Sequence, residues 1–403
     1  MQKEKPRLAA FYTRGLKPPF TEGHLALTNS YISALTNFGW NALVFNFDYP
    51  SPCYDDDTHG FHMGSTVRLQ QFHIPLIQRH ALLQSSGLVQ TYVACVAEAA
   101  LMPAFLLCEM ANKVRVSHIM NCLKLPRVFV RRLMKAKLVL HVYQTHVWSK
   151  ALHKLLRKVD AIVVSSRRVK DAVAKDLGYP QEQILQLYPS VNTDLQSIPK
   201  SRAKAALGLP TDSLVMLYLG NLGEGRFPDI MIGVFNNIVR AADQDVFFSI
   251  FAPLTRENVT RGHQLGVLSR RLQVADKVRI STIDLSSAQK MIAYSSADVF
   301  VFPCVADGRV AIEPPLTVAE AMNLGVPVVG TNTCSLDEVV DGRNGVLVDV
   351  QGIELIGEHV LAILNSTDKR QPSWSSNARQ TAIKLFSSDM LSRRFVQFNE
   401  ELG

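Results

Sequence analysis

The sequence has no C-x-x-C pair. Its six cysteines, Cys53, Cys95, Cys108, Cys122, Cys304 and Cys334, lie far apart. Dispersed single thiols argue against a metal cluster and fit a reducing cytosol. There is no long uninterrupted apolar run either. The longest, Tyr92 to Met110, is broken by Glu98, Pro103 and Glu109. A spanning helix takes about 20 mostly uncharged residues, so a buried or surface-lying helix is expected there. No internal repeat and no low-complexity tract is present. The charges of the opening MQKEKPRLAAFYTRG run straight into a short apolar stretch without a cleavage-site pattern, so a first strand is expected in place of a signal peptide. Charged residues make up only 19% and hydrophobic ones 47%, which suits a folded chain with a full core and argues against disorder. At about 100–200 residues per domain, a chain of 403 residues makes two.

Acidic residues are nearly missing from one window. From Lys113 to Lys170 there are 15 Lys and Arg against one acid, Asp160. The window carries +14 of a chain whose net charge is +8, leaving −6 for the remainder. A basic face of this size implies an anionic partner, whether membrane surface, polyanion or phosphorylated substrate; a solvated surface is the plainer alternative. On a helix expected at Leu123 to Met134, Lys124, Arg127, Arg131 and Arg132 recur beside Leu125, Val128, Phe129 and Leu133. That pattern suits a helix lying on an anionic membrane. Packing of the same apolar residues on the domain's own sheet gives the same periodicity.

What is there is an alternation. Strands are expected at Leu8 to Tyr12, Asn41 to Phe47, Val114 to Asn121, Leu138 to Gln144 and Ala161 to Ser165. Helices are expected at Gly23 to Asn37, Leu123 to Met134, Val147 to Lys158 and Val169 to Leu177. A polar, proline-containing stretch from Tyr188 to Ala203 reads as a linker. The alternation then restarts, with strands at Val215 to Gly220, Val246 to Ala252, Val278 to Ile283, Val299 to Pro303 and Val326 to Gly330, and a helix at Asp229 to Ala241. Such a pattern specifies two successive parallel sheets covered by helices. Ligands of such sheets sit at the carboxyl ends of the strands, in a cleft between the domains when two sheets face each other.

Two segments carry chemistry. EPPLTVAEAMNLGVPVVGT, Glu313 to Thr331, places two prolines before a helix running from about Thr317 to Leu324, with Gly325 as its stop. The helix start offers N–H groups near Leu316 and Thr317 to an anion. Glu320, one turn in, suits a ribose diol. LYLGNLGEGRFPDI, Leu217 to Ile230, ends a strand at Gly220 and delivers Arg226 from a loop of glycines. A guanidinium there matches a pyrophosphate with bidentate geometry, although ordinary loop punctuation reads the same way.

Together these segments resemble glycosyltransferase family four, the retaining enzymes with two Rossmann-like domains. The resemblance is sharpest from Ser165 to Asp349 and includes DAIVVSSRRVKDAV, YPSVNTD, GNLGEGR, YSSADVFVFP and DEVVDGRNGVLV. It implies an α/β chain of two Rossmann-like doubly wound domains facing each other across a cleft, the glycosyltransferase B fold. Residues 1–194 would form the acceptor-side domain, 195–385 the nucleotide-sugar domain, and 386–403 would pack back on the first. By the same resemblance Arg226 contacts the donor diphosphate, Glu320 the nucleotide ribose, and Leu316 and Thr317 the distal phosphate. Gly220 and Asn221 line the strand-end loop, and Gly23, within PFTEGHLAL, belongs to the first loop near the donor phosphate. His146, closing LVLHVYQTH, stands near the reacting sugar carbon, and Glu313 near the donor sugar. His141 reads as a packed residue and His24 as a surface one. The chain departs from the family in three places. Asn221 stands where an arginine is usual. Glu313 and Glu320 have six residues between them in place of seven, which puts Ile312 at the strict first position. The usual glycine pair is reduced to Gly23.

The implied activity is transfer of a sugar, with retention, from a UDP- or GDP-linked donor to a glycan or lipid-linked acceptor. No acidic pair suited to a metal-bound donor is present, and Asp55, Asp56 and Asp57 read as a solvated turn. No metal and no cofactor are therefore expected, the nucleotide-diphosphate sugar being a co-substrate. Nor is a nucleic-acid partner. A cytoplasmic protein, peripheral on the inner face of an anionic membrane, is the expected setting. Two alternatives stand beside this reading: a sugar-nucleotide epimerase of the same fold, and a non-catalytic membrane-associated protein that binds nucleotide sugars.

Overall fold

The structure, a computed structural model, describes residues 7–14, 23–48, 66–73, 100–120, 135–143, 158–223, 225–226, 228–305, 314–365 and 374–403. The helix expected at 123–134, the one at 147–158 apart from Lys158, the acidic run Asp55 to Asp57, and both His146 and Glu313 lie outside the described residues. The chain divides into two compact units, residues 1–187 with 388–403, and residues 188–387. The boundary falls after Leu187 and not after residue 194, because the intervening segment is tied into the second unit. Val191 pairs with Ser387, its N–H donates to the Phe386 carbonyl at 2.8 Å, and its side chain joins that unit's core.

Among the described residues, the first unit holds a seven-stranded sheet in the order β3-β2-β1-β4-β5-β6-β7. The strands are β1 (Leu8–Arg14), β2 (Asn41–Asp48), β3 (Val67–His73), β4 (Val116–Ile119), β5 (Lys137–Val142), β6 (Ala161–Val164) and β7 (Ile184–Gln186). Every pairing is parallel. A parallel sheet is covered on both faces, so its inner strands are apolar without alternation; AIVV in β6 is buried at all four positions. Helix α1 (Gly23–Asn37) returns the chain from β1 to β2. Helix α2 (Met102–Asn112) buries Met102, Phe105 and Glu109 and exposes Leu107 and Met110. It is the surface-lying helix, and among the described residues no helix is long and apolar enough to cross a membrane. Helix α3 (Arg167–Leu177) is capped by Ser166, whose Oγ accepts from the Val169 N–H at 3.1 Å, and ends at left-handed Gly178. The last helix, Ser388–Leu402, rejoins this unit because Leu391, Phe395 and Val396 share one face and enter the core with Phe11, Tyr31 and Trp40.

The second unit holds a six-stranded parallel sheet in the order β10-β9-β8-β11-β12-β13. Its strands are β8 (Leu214–Leu219), β9 (Val246–Ala252), β10 (Val278–Thr282), β11 (Val299–Phe302), β12 (Val328–Thr331) and β13 (Gly345–Val348). The expected linker ends in α4 (Lys200–Ala206). Then α5 (Pro228–Ala241) follows β8, and α6 (Arg256–Arg271) is capped by Thr255. A reciprocal capping box between Ser286 and Gln289 starts α7 (Ser287–Ser296). On one face, Phe235 and Ile238 of α5 pack with Phe248, Val301 and Val360. On the other, Val318 and Met322 of α8 (Leu316–Asn323) pack with Leu217, Phe300 and Phe302. The helix after β8 and the helix after β11 therefore lie on opposite faces. The strand order reverses between β8 and β11, and in open α/β sheets that is where the carboxyl ends leave a crevice for ligand.

Candidate functional site

The loop after β8 is built to a shape. Gly220 follows the strand, and a Cβ there would stand 3.2 Å from the Tyr218 hydroxyl oxygen. That hydroxyl donates to the Asn221 carbonyl, and burial raises its pKa, so it stays a donor. Asn221 is exposed, and its side-chain oxygen accepts from Asn258 Nδ2 at 3.2 Å. Asn258, buried in the first turn of α6, also accepts from the Leu222 N–H at 2.9 Å and donates to the Pro253 carbonyl at 2.9 Å. Gly225 has φ +83°, and its carbonyl accepts from the Val305 N–H at 2.7 Å. A Cβ at Gly225 would lie 3.1 Å from the Val305 carbonyl, so both its conformation and its space ask for glycine. The loop is thus laid against the chain leaving β11.

That contact sets Arg226. Its guanidinium lies 4.9 Å over the Phe302 ring, a cation–π arrangement. Its Nη1 donates to Cys304 Sγ at 2.9 Å. Cys304 Sγ is also 3.3 Å from Cys334 Sγ. The Cys304 thiol is lowered to about 6 by the hydrogen bond from Cys334 and, against its burial, by Arg226. Cys334 is raised by the same pairing and by burial. With Arg226 donating to Cys304, the S–H that fits between the sulfurs is that of Cys334. A backbone turn with Cys334 at φ 52° and Ser335 at φ 50° holds the second cysteine in place. Two successive left-handed non-glycine residues are costly, and such strain clusters at functional sites.

The second component is α8. Pro315 precedes it with φ −64° and ψ 137°, and a proline there gives up no bond, because the first N–H groups of a helix have no intrahelical acceptor. Leu316 and Thr317 are the first two helical residues. The next two N–H groups, of Val318 and Ala319, turn back to the Pro315 carbonyl at 3.0 and 3.3 Å. Glu320 lies one turn in. Its Oε2 accepts from the Tyr294 hydroxyl at 2.7 Å and its Oε1 from Lys290 Nζ at 3.3 Å. Burial, then the Glu320 charge, raises the Tyr294 phenol well above its ordinary value, so it remains the donor. The helix ends at Asn323, with Gly325 in the left-handed conformation at φ 76°.

Of the residues singled out in the sequence, Gly220, Asn221 and Arg226 share one loop, and Leu316, Thr317 and Glu320 share one helix start, all in the second unit. Gly23 opens α1 in the first unit. His141, expected to be packed, is fully buried. Sequence reasoning missed Lys290 and Tyr294, which fix Glu320, and Phe302, Cys304 and Asn258, which fix the loop and its arginine. YSSADVFVFP spans Tyr294 and Phe302, and nothing local in it signals the contacts these two side chains make. Among the described residues no group of three His, Cys, Asp or Glu is placed to hold a metal ion.

The chain is similar to known proteins in sequence and in fold. Residues 199–381 match the family model for glycosyl transferases group 1, a stretch lying inside the second unit. A D-inositol 3-phosphate glycosyltransferase of Streptomyces bingchenggensis is 25% identical over 208 residues, 48% of this chain and 43% of that protein. The enzyme of that name from Xylanimonas cellulosilytica is 28% identical over 230 residues, 55% of this chain and 52% of that protein. The chain spans about half the length of the curated relatives it matches. Sucrose-phosphate synthase from Thermosynechococcus elongatus matches in structure with a TM-score of 0.78 at 15% identity, covering 98% of this chain and 99% of that one. HepE of Anabaena, in complex with UDP and glucose, gives 0.71 at 15%, covering 98% and 100%. These likenesses establish the fold, two Rossmann-like α/β domains.

Proposed function

We propose that the chain is a retaining glycosyltransferase of family four that moves a sugar from a UDP- or GDP-linked donor to an acceptor. One observation carries the reading. At the point where the second sheet's strand order reverses, a guanidinium is fixed over Phe302, and the helix following β11 begins with unbonded N–H groups and an anchored carboxylate one turn in. A nucleoside diphosphate asks for these parts: cation and helix dipole for the phosphates, carboxylate for the ribose. The match to the glycosyl transferases group 1 model covers this same region, and HepE, of like fold, holds UDP.

In this reading Arg226 and the N–H groups of Leu316 and Thr317 stabilise the charge that develops on the departing diphosphate. They do so already oriented, without metal. Glu320 holds the ribose and Glu313 the donor sugar. The Gly220–Asn221 turn lets the backbone approach the donor, and Gly23 belongs to the loop near its phosphates. His146 stands near the reacting carbon, and the acceptor attacks on the face the diphosphate leaves. The basic window from Lys113 to Lys170 supports a lipid-linked or membrane-proximal glycan acceptor, met on the cytoplasmic face of an anionic membrane.

A thermal-shift screen of UDP- and GDP-sugars, followed by mass spectrometry of products formed with lipid and glycan extracts, tests the proposal. Stabilisation by one donor class, with transfer that Arg226→Ala abolishes, is expected. Conversion of the donor sugar without nucleotide release points to an epimerase. Donor binding without turnover leaves a binding protein.

A further inference from the structure

Cys304 and Cys334 stand 30 positions apart, yet the fold closes them to a sulfur–sulfur distance of 3.3 Å. Adjacent parallel strands bring them level: β11 and β12 pair with Phe302 opposite Gly330, and each cysteine follows its strand by two or three residues. The approach is pinned by hydroxyl groups. The Cys304 N–H donates to Thr331 Oγ1 at 2.9 Å, and Thr333 Oγ1 donates to the Cys304 carbonyl at 2.9 Å. Both side chains are buried, and Arg226 Nη1 reaches Cys304 Sγ at 2.9 Å.

We infer that Cys304 and Cys334 form a redox-active dithiol that a hydroperoxide closes to a disulfide, and that closure changes how strongly Arg226 attracts an anion. The second half of this inference rests on the donor-site reading above. Cys304 is the attacking sulfur, because a cation beside it and a donor S–H behind it both favour the thiolate. Its sulfur takes the terminal oxygen of the hydroperoxide, the O–O bond breaks, and an alcohol (or water, from hydrogen peroxide) departs with the proton. The sulfenic acid so formed is met by Cys334. Its sulfur displaces hydroxide, which leaves as water with the Cys334 proton. Two thiols and one hydroperoxide yield one disulfide, one water and one alcohol. The thiols lose two electrons and two protons, and the O–O bond gains them.

The reduced pair sets a partial or full negative charge 2.9 Å from Arg226. A disulfide carries none. Closure therefore leaves the guanidinium charge uncompensated at the place where a diphosphate is expected, and the stacking on Phe302 still holds it there. Nucleoside diphosphate affinity should rise on the order of tenfold on oxidation, as removal of one nearby like charge in a partly buried site implies.

The test uses the full chain. Protein treated with hydrogen peroxide and alkylated is mapped by peptide mass spectrometry, and UDP and GDP affinities are measured by calorimetry before and after oxidation and again after a dithiol reductant. Expected are a cross-linked peptide joining Cys304 to Cys334, tighter nucleotide binding, and reversal on reduction. Cys334→Ser should lose both the cross-link and any change of affinity on peroxide treatment. Absence of the cross-link in wild type under excess peroxide overturns the site. A cross-link with unchanged affinity overturns its link to Arg226. Reduced Arg226→Ala separates the two claims: unaltered affinity there sinks the donor reading, while the cross-link still decides the dithiol.

Discussion

The Tyr294 hydroxyl donates to the Glu320 carboxylate at 2.7 Å across 26 positions of sequence. Lys290, one turn earlier on the same helix, reaches the other oxygen at 3.3 Å. Glu320 is therefore held by two donors from one helix. Such second contacts preserve the geometry of a binding group, and their loss shows as affinity.

The first prediction follows from that pair. Tyr294→Phe keeps the ring in its pocket and deletes one hydrogen bond to a charged group, worth about 1.5–3 kcal/mol. UDP or GDP affinity should fall by roughly tenfold or more, and Glu320→Ala should cost further. Inorganic pyrophosphate has no ribose, so its affinity should hold in both variants. Calorimetry with both ligands checks this. Equal losses for nucleotide and pyrophosphate would show Glu320 acting on the phosphates and not on the ribose.

Arg226 divides charge from shape. Arg226→Ala should lower turnover on the order of 10²–10³, as loss of one electrostatic contact to a developing charge does. Arg226→Lys keeps the charge and gives up the planar fork and its stacking over Phe302, and should fall between. Turnover should survive excess EDTA. Loss on chelation with recovery by Mg²⁺ would move the neutralising role from the side chain to an ion.

How far the sequence reached depends on where an element sits in its sheet. The inner strands β8, β9 and β11 read as LVMLYL, VFFSIFA and VFVF, because burial on both faces leaves a nearly continuous apolar run. The strands that the sequence pattern does not mark, β3, β7 and β13, all lie at sheet edges. VRLQQFH carries polar residues along an edge, and ILQ is three residues long. At the site, the glycines after β8 and the prolines before α8 were legible because turn and cap chemistry is local. Tyr294 to Glu320 and Arg226 to Cys304 were not, since packing and not spacing joins residues 26 and 78 positions apart.

His118 predicts a pH dependence for the first unit. It is fully buried, with Nδ1 3.1 Å from His141 Nε2 and Nε2 2.9 Å from Asn399 Oδ1 on the last helix. Its ring stacks on Phe11 at 4.8 Å. Burial lowers its pKa from 6.5 to about 4, against a smaller opposing effect of Asn399. Between those values the unfolded chain binds a proton that the folded chain refuses. The stabilisation is whole above pH 6.5 and is lost as pH falls towards about 4. It amounts to about 3 kcal/mol when complete. Urea unfolding of wild type should weaken over that window, and His118→Gln should flatten the slope. An equal slope in both would assign the acid sensitivity to other groups.

The same substitution should act with opposite sign at two glycines of the second unit. Gly345 opens β13 and pairs with Val328 of β12. A Cβ there would stand 2.2 Å from the Val328 carbonyl oxygen and 3.0 Å from the Val328 carbonyl carbon and nitrogen. These are backbone atoms, so no side chain can swing aside, and β12 and β13 must part. Gly345→Ala should cost about 1–3 kcal/mol or more, as forced overpacking does. The damage should reach the site, because β12 leads directly into Thr331, Thr333 and Cys334, and Thr331 and Thr333 hold Cys304 through its N–H and carbonyl. Nucleotide affinity should therefore fall along with the unfolding midpoint. Gly233, inside α5, has nothing within 4 Å of its would-be Cβ. Gly233→Ala there removes unfolded-state freedom without a clash and should stabilise by about 0.5–1 kcal/mol, with nucleotide affinity untouched. Paired denaturation and binding measurements on the two variants decide the matter. A Gly345→Ala protein as stable as wild type would mean that β13 does not pair with β12 in this register.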